Sequence, residues 1–325
     1  MITLFAIPKP FVGHIGVIQR NAVQSWTRLR PACEVLLIGN DPGVAETAAE
    51  MGVRHLREVA RNAYGTPLLD SAFRLAAANA QRSLLCYINA DIMLTSDFPR
   101  AAGRLGSGRC LMVGQRWDVD LKTAWDFSGD DWEERLLRYV REQGRPHPPA
   151  GSDYFLFPAG DALGQLPSFA VGRPGWDNWF LQNARRQGVP LVDATAVTTV
   201  IHQNHDYRHV PQGKDNTYDG PEGERNFELA GSMPMIYTVE DATHRLTSDG
   251  IRPIRNLRRF LRFCRRTYLE QRTRLVPALL LILAGRVKHL VIPYPEGYHP
   301  LPLREQIAQL FARKKRKTPS KPDGS

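Results

Sequence analysis

Residues 84–94 read LLCYINADIML. The apolar run from Leu84 to Ile88 passes through Asn89 and Ala90 and stops at a carboxylate, Asp91. That is the pattern of a buried strand with an acid at its carboxyl end. In open α/β sheets ligands sit beyond the carboxyl ends of the strands, so an acid delivered there on a rigid element can hold a metal ion against a phosphate. The plainer reading of Asp91 is a turn carboxylate that caps the next segment.

The chain before this stretch alternates between two periods. Thr3–Ile7 reads as a strand, and residues 15–29 carry apolar positions at helical spacing: Ile15, Ile18, Ala22, Trp26 and Leu29. Glu34–Gly39 is a second strand ending in the turn-rich GNDPG, followed by a short helix over Val44–Met51 and a short strand over Val53–Leu56. A helix over Leu68–Ala80 then leads into the strand that ends at Asp91. This alternation predicts an α/β fold: a mixed, mainly parallel Rossmann-like sheet with helices on both faces. Neither GxGxxG nor GxxxxGK[ST] lies between the first strand and its helix, which removes the main support for a dinucleotide or P-loop enzyme.

Beyond Asp91 the pattern is less regular and more aromatic. Cys110–Gly114 reads as a strand running into QRWDVDL, Trp132–Gln143 as a helix, Tyr154–Pro158 as a strand after the turn GSD, and Trp176–Arg186 as a helix. Leu191–Thr199 reads as one strand leading to HQNHDYRH, and Pro211–Arg225 as a loop or lid.

With 325 residues, 42% hydrophobic and 23% charged, the chain has the length and composition of a globular protein with a full core. Cys33, Cys86, Cys110 and Cys264 lie far apart without a CxxC pair, which fits a reducing, cytoplasmic setting. The opening MITLFAIPKPF is broken too early by proline to read as a signal peptide. The longest apolar run, Leu275–Ala284, covers ten residues and includes Pro277, short of the ~20 that a spanning helix needs.

The net charge of +10 is uneven. Residues 251–325 hold 18 basic and 4 acidic residues, so the tail carries +14 and the first 250 residues −4. In the tail, Leu257, Phe260, Leu261, Cys264 and Tyr268 fall on one helical face, with Arg255, Arg258, Arg259, Arg262, Arg265 and Arg266 largely around the rest. That pattern suits peripheral contact with an anionic membrane and equally suits a packed helix with a solvated basic face. The closing RKKRKTPSKPDGS is too polar to fold. Three segments follow: 1–250, a basic amphipathic extension over 251–312, and a disordered tail over 313–325.

Four clusters of polar and aromatic residues follow predicted strands: Asn89–Asp91, Trp117–Asp120, Trp176–Trp179 and His202–Tyr207. A sugar cleft uses this mixture, indoles against ring faces and carboxylates on hydroxyls. Taken singly, each tryptophan is a half-buried core residue. Asp177 stands between two tryptophans at a helix start. It reads as an N-cap or as a general base whose proton affinity is raised by desolvation, and Asp153 competes for the same role. His202 and His205, with Asp206 adjacent, have weak metal-ligand spacing, and one of them joining Asp91 on a divalent ion fits better than a self-contained zinc site. Arg116 and Lys122 read first as solvated side chains, and otherwise as spare cations for a phosphate or an acidic acceptor.

The strand ending NADI, the GWDNW about ninety residues later and the strand followed by HQNHDY resemble nucleotide-sugar glycosyltransferases of the GT-A fold, related to glycosyltransferase family 2, over residues 1–210. Asn89 stands where the usual Asp-x-Asp has its first acid. The resemblance implies that Asp91 holds Mn²⁺ or Mg²⁺ on the diphosphate, that Asp177 is the base, and that His202 or His205 assists at the metal or phosphate. Asn89, Arg116 and Trp176 would then belong to the donor site. The implied partners are a nucleoside-diphosphate sugar and a glycan or lipid-linked acceptor, with no specific nucleic acid. Three other readings remain. A sugar-phosphate nucleotidyltransferase would want a Gly-rich basic loop after the first strand. A metal-dependent hydrolase would be built on His202, His205 and Asp206. A non-catalytic carbohydrate-binding module would use the same fold.

Overall fold

The computed structural model describes residues 2–205, 220–231 and 236–271, together with 282–283, 302 and 305. The chain divides into two compact units, Met1–Ile254 and Arg255–Ser325.

The first unit opens with β1 (Ile2–Ala6), α1 (Gly13–Thr27), β2 (Glu34–Ile38), α2 (Val44–Met51), β3 (Arg54–Leu56), α3 (Leu69–Asn79) and β4 (Leu84–Ile88). The strands lie in the order β4-β1-β2-β3, all parallel. Every residue of β1 is buried, as expected of a strand covered on both faces. Its side chains alternate: Leu4 and Ala6 pack with Trp26 of α1 and Ala48 of α2, while Phe5 packs with Phe73 of α3.

The second half contains β5 (Ile92–Leu94), α4 (Asp97–Ala102), β6 (Leu111–Val113), β7 (Trp117–Val119), α5 (Trp132–Gln143), β8 (Arg145–Pro146), β9 (Tyr154–Pro158), α6 (Trp176–Arg186), β10 (Leu191–Asp193), β11 (Val200–Gln203), α7 (Pro221–Ala230), β12 (His244–Thr247) and β13 (Gly250–Pro253). They complete a nine-stranded sheet, β13-β12-β10-β6-β9-β4-β1-β2-β3, in which only β9 and the edge strand β13 run against their neighbours. The mixed, mainly parallel α/β sheet with helices on both faces is therefore the architecture of this unit. Because β9 is antiparallel to β4, with Ile88 opposite Tyr154, its first residues arrive where β4 ends. A second, four-stranded sheet, β5-β11-β7-β8, stands beside that point.

Phe73 is the hub of the core on the α3 face. Its ring meets Phe5 edge-on at 4.9 Å and Phe180 at 5.7 Å, and stacks on Tyr87 at 5.6 Å and Phe157 at 5.9 Å. Phe73→Ala should cost ~3–5 kcal/mol, the range for removing a buried aromatic, read as a lower denaturant midpoint at unchanged slope.

Two expectations from sequence are corrected. Leu191–Thr199 is not one strand: β10 stops at Asp193, whose carboxylate accepts the Thr195 N–H at 2.9 Å, and the chain turns before entering the other sheet as β11. Residues 221–225 are helical rather than loop, because Pro221 suits the first helical turn and Glu222 and Glu224 complement the helix dipole there. Asp206, Tyr207 and the other residues of 206–219, including 211–219 of the expected loop, lie outside the described residues.

In the second unit, α8 (Leu257–Gln271) is the amphipathic basic helix. The apolar run 275–284, apart from 282–283, and the closing basic segment lie outside the described residues. No described helix is long and apolar enough to cross a membrane.

Candidate functional site

Asp91 lies in the turn from β4 to β5, and that turn is tied down from several sides. The Asn89 N–H donates to the Asp153 carbonyl at 2.9 Å, and the Ile92 N–H closes back onto the Asn89 carbonyl at 3.1 Å. The Asp91 carbonyl accepts from the buried Gln203 side chain at 3.1 Å, and Gln203 also donates to the Ile18 carbonyl at 2.8 Å and accepts from Asn21 at 2.9 Å. Leaving the Gln203 amide unmet would cost ~1–3 kcal/mol, which these bonds avoid. The result is a rigid seat for the Asp91 carboxylate.

Strand β11 brings the histidines. It pairs antiparallel with β5, His202 opposite Ile92, and parallel with β7, His202 opposite Asp118. The Nε2 atoms of His205 and His202 lie 3.2 and 3.8 Å from Asp91 Oδ2. One ligand atom from each of Asp91, His202 and His205 falls within 4.8 Å of the others, so a small closure of the side chains would bring all three onto one ion. The other carboxylate oxygen, Asp91 Oδ1, is buried and has no hydrogen-bond partner. An orphaned carboxylate oxygen beside two imidazoles fits a divalent cation, and both histidines reach Asp91 rather than one.

Electrostatics agree with this arrangement. Burial pushes the Asp91 carboxyl up, but the His205 hydrogen bond and the charges of His202 and Lys9 outweigh it and hold the group well below the carboxylate range. Burial lowers the His202 imidazole, yet Asp118 and Asp91 together raise it above its ordinary value. The Lys9 ammonium is lowered chiefly by burial, against the attraction of Asp91.

Asp91, His205, Asn89 and Lys9 share the wall of a cavity of about 380 Å³ at the carboxyl ends of β1 and β4. Lys9 is positioned by a two-way clamp: Gln19 accepts its N–H at 2.7 Å and donates to its carbonyl at 2.9 Å. Arg61 and Arg173 also line the cavity, each held by a carboxylate, Asp41 at 2.6 Å and Glu222 at 2.5 Å. A larger hollow of about 670 Å³ near Arg28, Arg100 and Phe127 lies toward the other end of α1 and contains none of these groups.

The remaining sequence candidates separate. Arg116 is not a spare cation: it donates to Asp118 at 2.9 Å and to Asp153 at 2.6 Å, and is neutralised by both. Asp153 has both oxygens engaged, since the Asn89 amide donates to the other at 2.8 Å, so it braces the Asp91 turn. Trp176 is 6% exposed and packs against Tyr87 and Phe155 at ring distances of 5.0 and 5.1 Å, which leaves no open face for a sugar. Its place on the core side of α6 depends on what packs against that helix, which spacing alone does not carry. Asp177, one residue on, is partly buried in the first turn of α6 and does not line the cavity. Burial pushes its carboxyl up to about 6, with the nearby Asp153 charge adding to the effect against backbone hydrogen bonds.

Sequence reasoning missed Lys9, Asn21 and His147, and met Asp118 and Gln203 only as parts of the Trp117–Asp120 and His202–Tyr207 clusters. The one local signal was Gln203, a polar residue between His202 and His205 at the end of a short strand.

Fold and site together define an α/β protein with a candidate divalent-cation centre on the carboxyl edge of its sheet. No protein-family model matches the chain, and no curated protein matches it. Among solved structures it is similar to glucosyl-3-phosphoglycerate synthase from Mycobacterium tuberculosis, at 16% identity and a TM-score of 0.41 over 78% of this chain and 90% of that one. Similar too are complexes of that protein with Mg²⁺ and UDP (18% identity, TM-score 0.36) and with Mn²⁺, UDP-glucose and phosphoglyceric acid (17%, 0.36), each covering 63% of this chain and 72% of the other.

Proposed function

We propose that this protein transfers a sugar from a nucleoside-diphosphate sugar to a hydroxyl acceptor, with Asp91, His202 and His205 holding Mn²⁺ or Mg²⁺ beside the diphosphate. The observation that carries the reading is the Asp91–His202–His205 cluster, two of whose members, Asp91 and His205, line a cavity together with Lys9. When bound, such a cation supplies positive charge to the departing diphosphate. Lys9, fixed by Gln19, adds a second positive group on the same wall. Asp177, poised near neutrality, is the group assigned to take the acceptor proton, because Asp153 has no oxygen to spare.

The acceptor assigned is a cell-surface glycan or glycolipid. The deciding experiment offers a panel of nucleotide sugars with Mn²⁺ or EDTA, and acceptors that include glycans, polyprenyl phosphates and phosphoglyceric acid, which the similar M. tuberculosis protein binds. Metal-dependent release of UDP or GDP is expected with one donor; no release with any donor, by protein that binds Mn²⁺, overturns the assignment. A hydrolase remains the second reading, favoured by the two imidazoles, since two nitrogens and one carboxylate also suit zinc. Stoichiometric zinc in the purified protein would support it.

The basic helix α8 is assigned to contact with an anionic membrane at the cytoplasmic face. Support comes from Leu257, Phe260 and Phe263, which are 71%, 47% and 51% exposed on an arginine-rich helix. The full chain should pellet with phosphatidylserine vesicles at low salt, and F260E/F263E should stay in solution. A chain ending at Ile254 keeps β13 and should stay folded without pelleting; failure of the full chain to pellet overturns the assignment.

A further inference from the structure

We infer that Asp118 is a positioning residue for the cation site: it holds the His202 ring from behind so that Nε2 presents its lone pair toward Asp91. This rests on the metal reading above and extends it to a residue outside the ligand cluster. His202 uses its two nitrogens in opposite directions. Nε2 faces Asp91 Oδ2 at 3.8 Å, while Nδ1 lies 3.4 Å from Asp118 Oδ1, within ion-pair reach but not aligned as a hydrogen bond. A carboxylate against one ring nitrogen favours the proton there, which leaves the other nitrogen free to ligate.

The fold fixes this pairing instead of leaving it to side-chain rotation. His202 and Asp118 are register partners on the parallel strands β11 and β7, so their side chains emerge side by side on the same face. Asp118 is itself immobilised: Arg116 Nε donates to Oδ1 at 2.9 Å, and His147 Nδ1 lies 2.6 Å from Oδ2. Arg116 continues to Asp153 and Asp153 to Asn89, two residues before Asp91. The carboxylate that orients one ligand is thereby tied through two side chains to the turn that carries another. A carboxylate serving the fold alone would need only Arg116 and His147; the His202 contact is the one this role leaves unexplained.

The test compares Asp118→Ala, Asp118→Asn and His147→Gln with wild type in two measurements. The first is Mn²⁺ affinity by calorimetry. Asp118→Ala should bind about 10–100-fold more weakly, the usual cost of losing a partner behind a metal-ligating histidine, Asp118→Asn less so, and His147→Gln least. The second is the His202 tautomer, from imidazole ¹⁵N shifts in metal-free protein. Wild type should be the Nδ1–H form, and Asp118→Ala should shift toward the Nε2–H form. Unchanged affinity and tautomer in folded Asp118→Ala overturn the inference. So does His147→Gln matching Asp118→Ala in both, because Asp118 would then act only through the loop that bears His147. If Asp118→Ala fails to fold, Asp118→Asn carries both measurements. The tautomer decides the role of Asp118 even if wild type takes up no Mn²⁺, an outcome that would count against the metal reading itself.

Discussion

Asp91→Asn is expected to weaken Mn²⁺ binding by more than 100-fold and to abolish metal-dependent binding of a nucleotide sugar, with the far-ultraviolet dichroism unchanged. The comparison that sets this scale is the ~10–100-fold cost of losing a group behind a ligand; Asp91 is the one carboxylate of the cluster among the described residues, so its loss should exceed that. Asparagine keeps the volume, so no cavity opens, and the bonds that the Gln203 side chain and N–H donate to the Asp91 carbonyl do not depend on the side chain at 91. What changes is charge. Two imidazoles and the Lys9 ammonium would face a neutral amide, and a dication brought among them would lose the carboxylate that ligates it directly. Titration calorimetry with Mn²⁺, then with donor in the presence of Mn²⁺, reads the result. Unchanged affinities would remove Asp91 from the metal site.

Asp177→Asn carries the second large effect, a fall in turnover of about 10² or more with donor affinity nearly unchanged, as for the loss of a positioned base. Wild-type turnover should rise with pH through about 6, where burial places the Asp177 carboxyl, because only the deprotonated form accepts a proton. The variant should lose that limb. The same shift sets the sign of a stability effect. A carboxyl raised on folding holds its proton more tightly in the native state, so its favourable contribution is full below about 4 and is lost as pH rises through about 6. Asp177→Asn should therefore match wild type in denaturant midpoint at pH 4 and exceed it at pH 8. If Asp153→Asn abolishes turnover while Asp177→Asn is silent, the assignment of the base reverses.

Much of the framework could be read from local sequence. The succession from β1 to β4 rests on periods of two and 3.6 residues with turn residues between them, and Asp91 was marked by an apolar run that ends in an acid. What stayed hidden depended on partners far along the chain. Arg116 looks like a surface cation until β7 and β9 place Asp118 and Asp153 on either side of it. Trp176 and Asp177 are neighbours on one helix, one facing the core and one only partly buried, and composition shows that both types are present without showing which faces where. The break between β10 and β11 is not legible because LVDATAVTT has strand composition throughout, and the turn is made by a single aspartate accepting the N–H two residues on, that of Thr195.

The small sheet β5-β11-β7-β8 also sets an order of events. It gathers Asp91, Asp118 and His202, and the Asp91–His205 contact alone spans 114 positions of sequence. Closing loops of that length comes at an entropic cost that only late, cooperative contacts recover, so the ligand cluster is complete only once β11 has docked between β5 and β7. On the proposed reading, a chain still emerging from the ribosome pairs β1 to β4 long before it can hold a cation, and metal uptake during refolding should lag until one four-residue strand has docked.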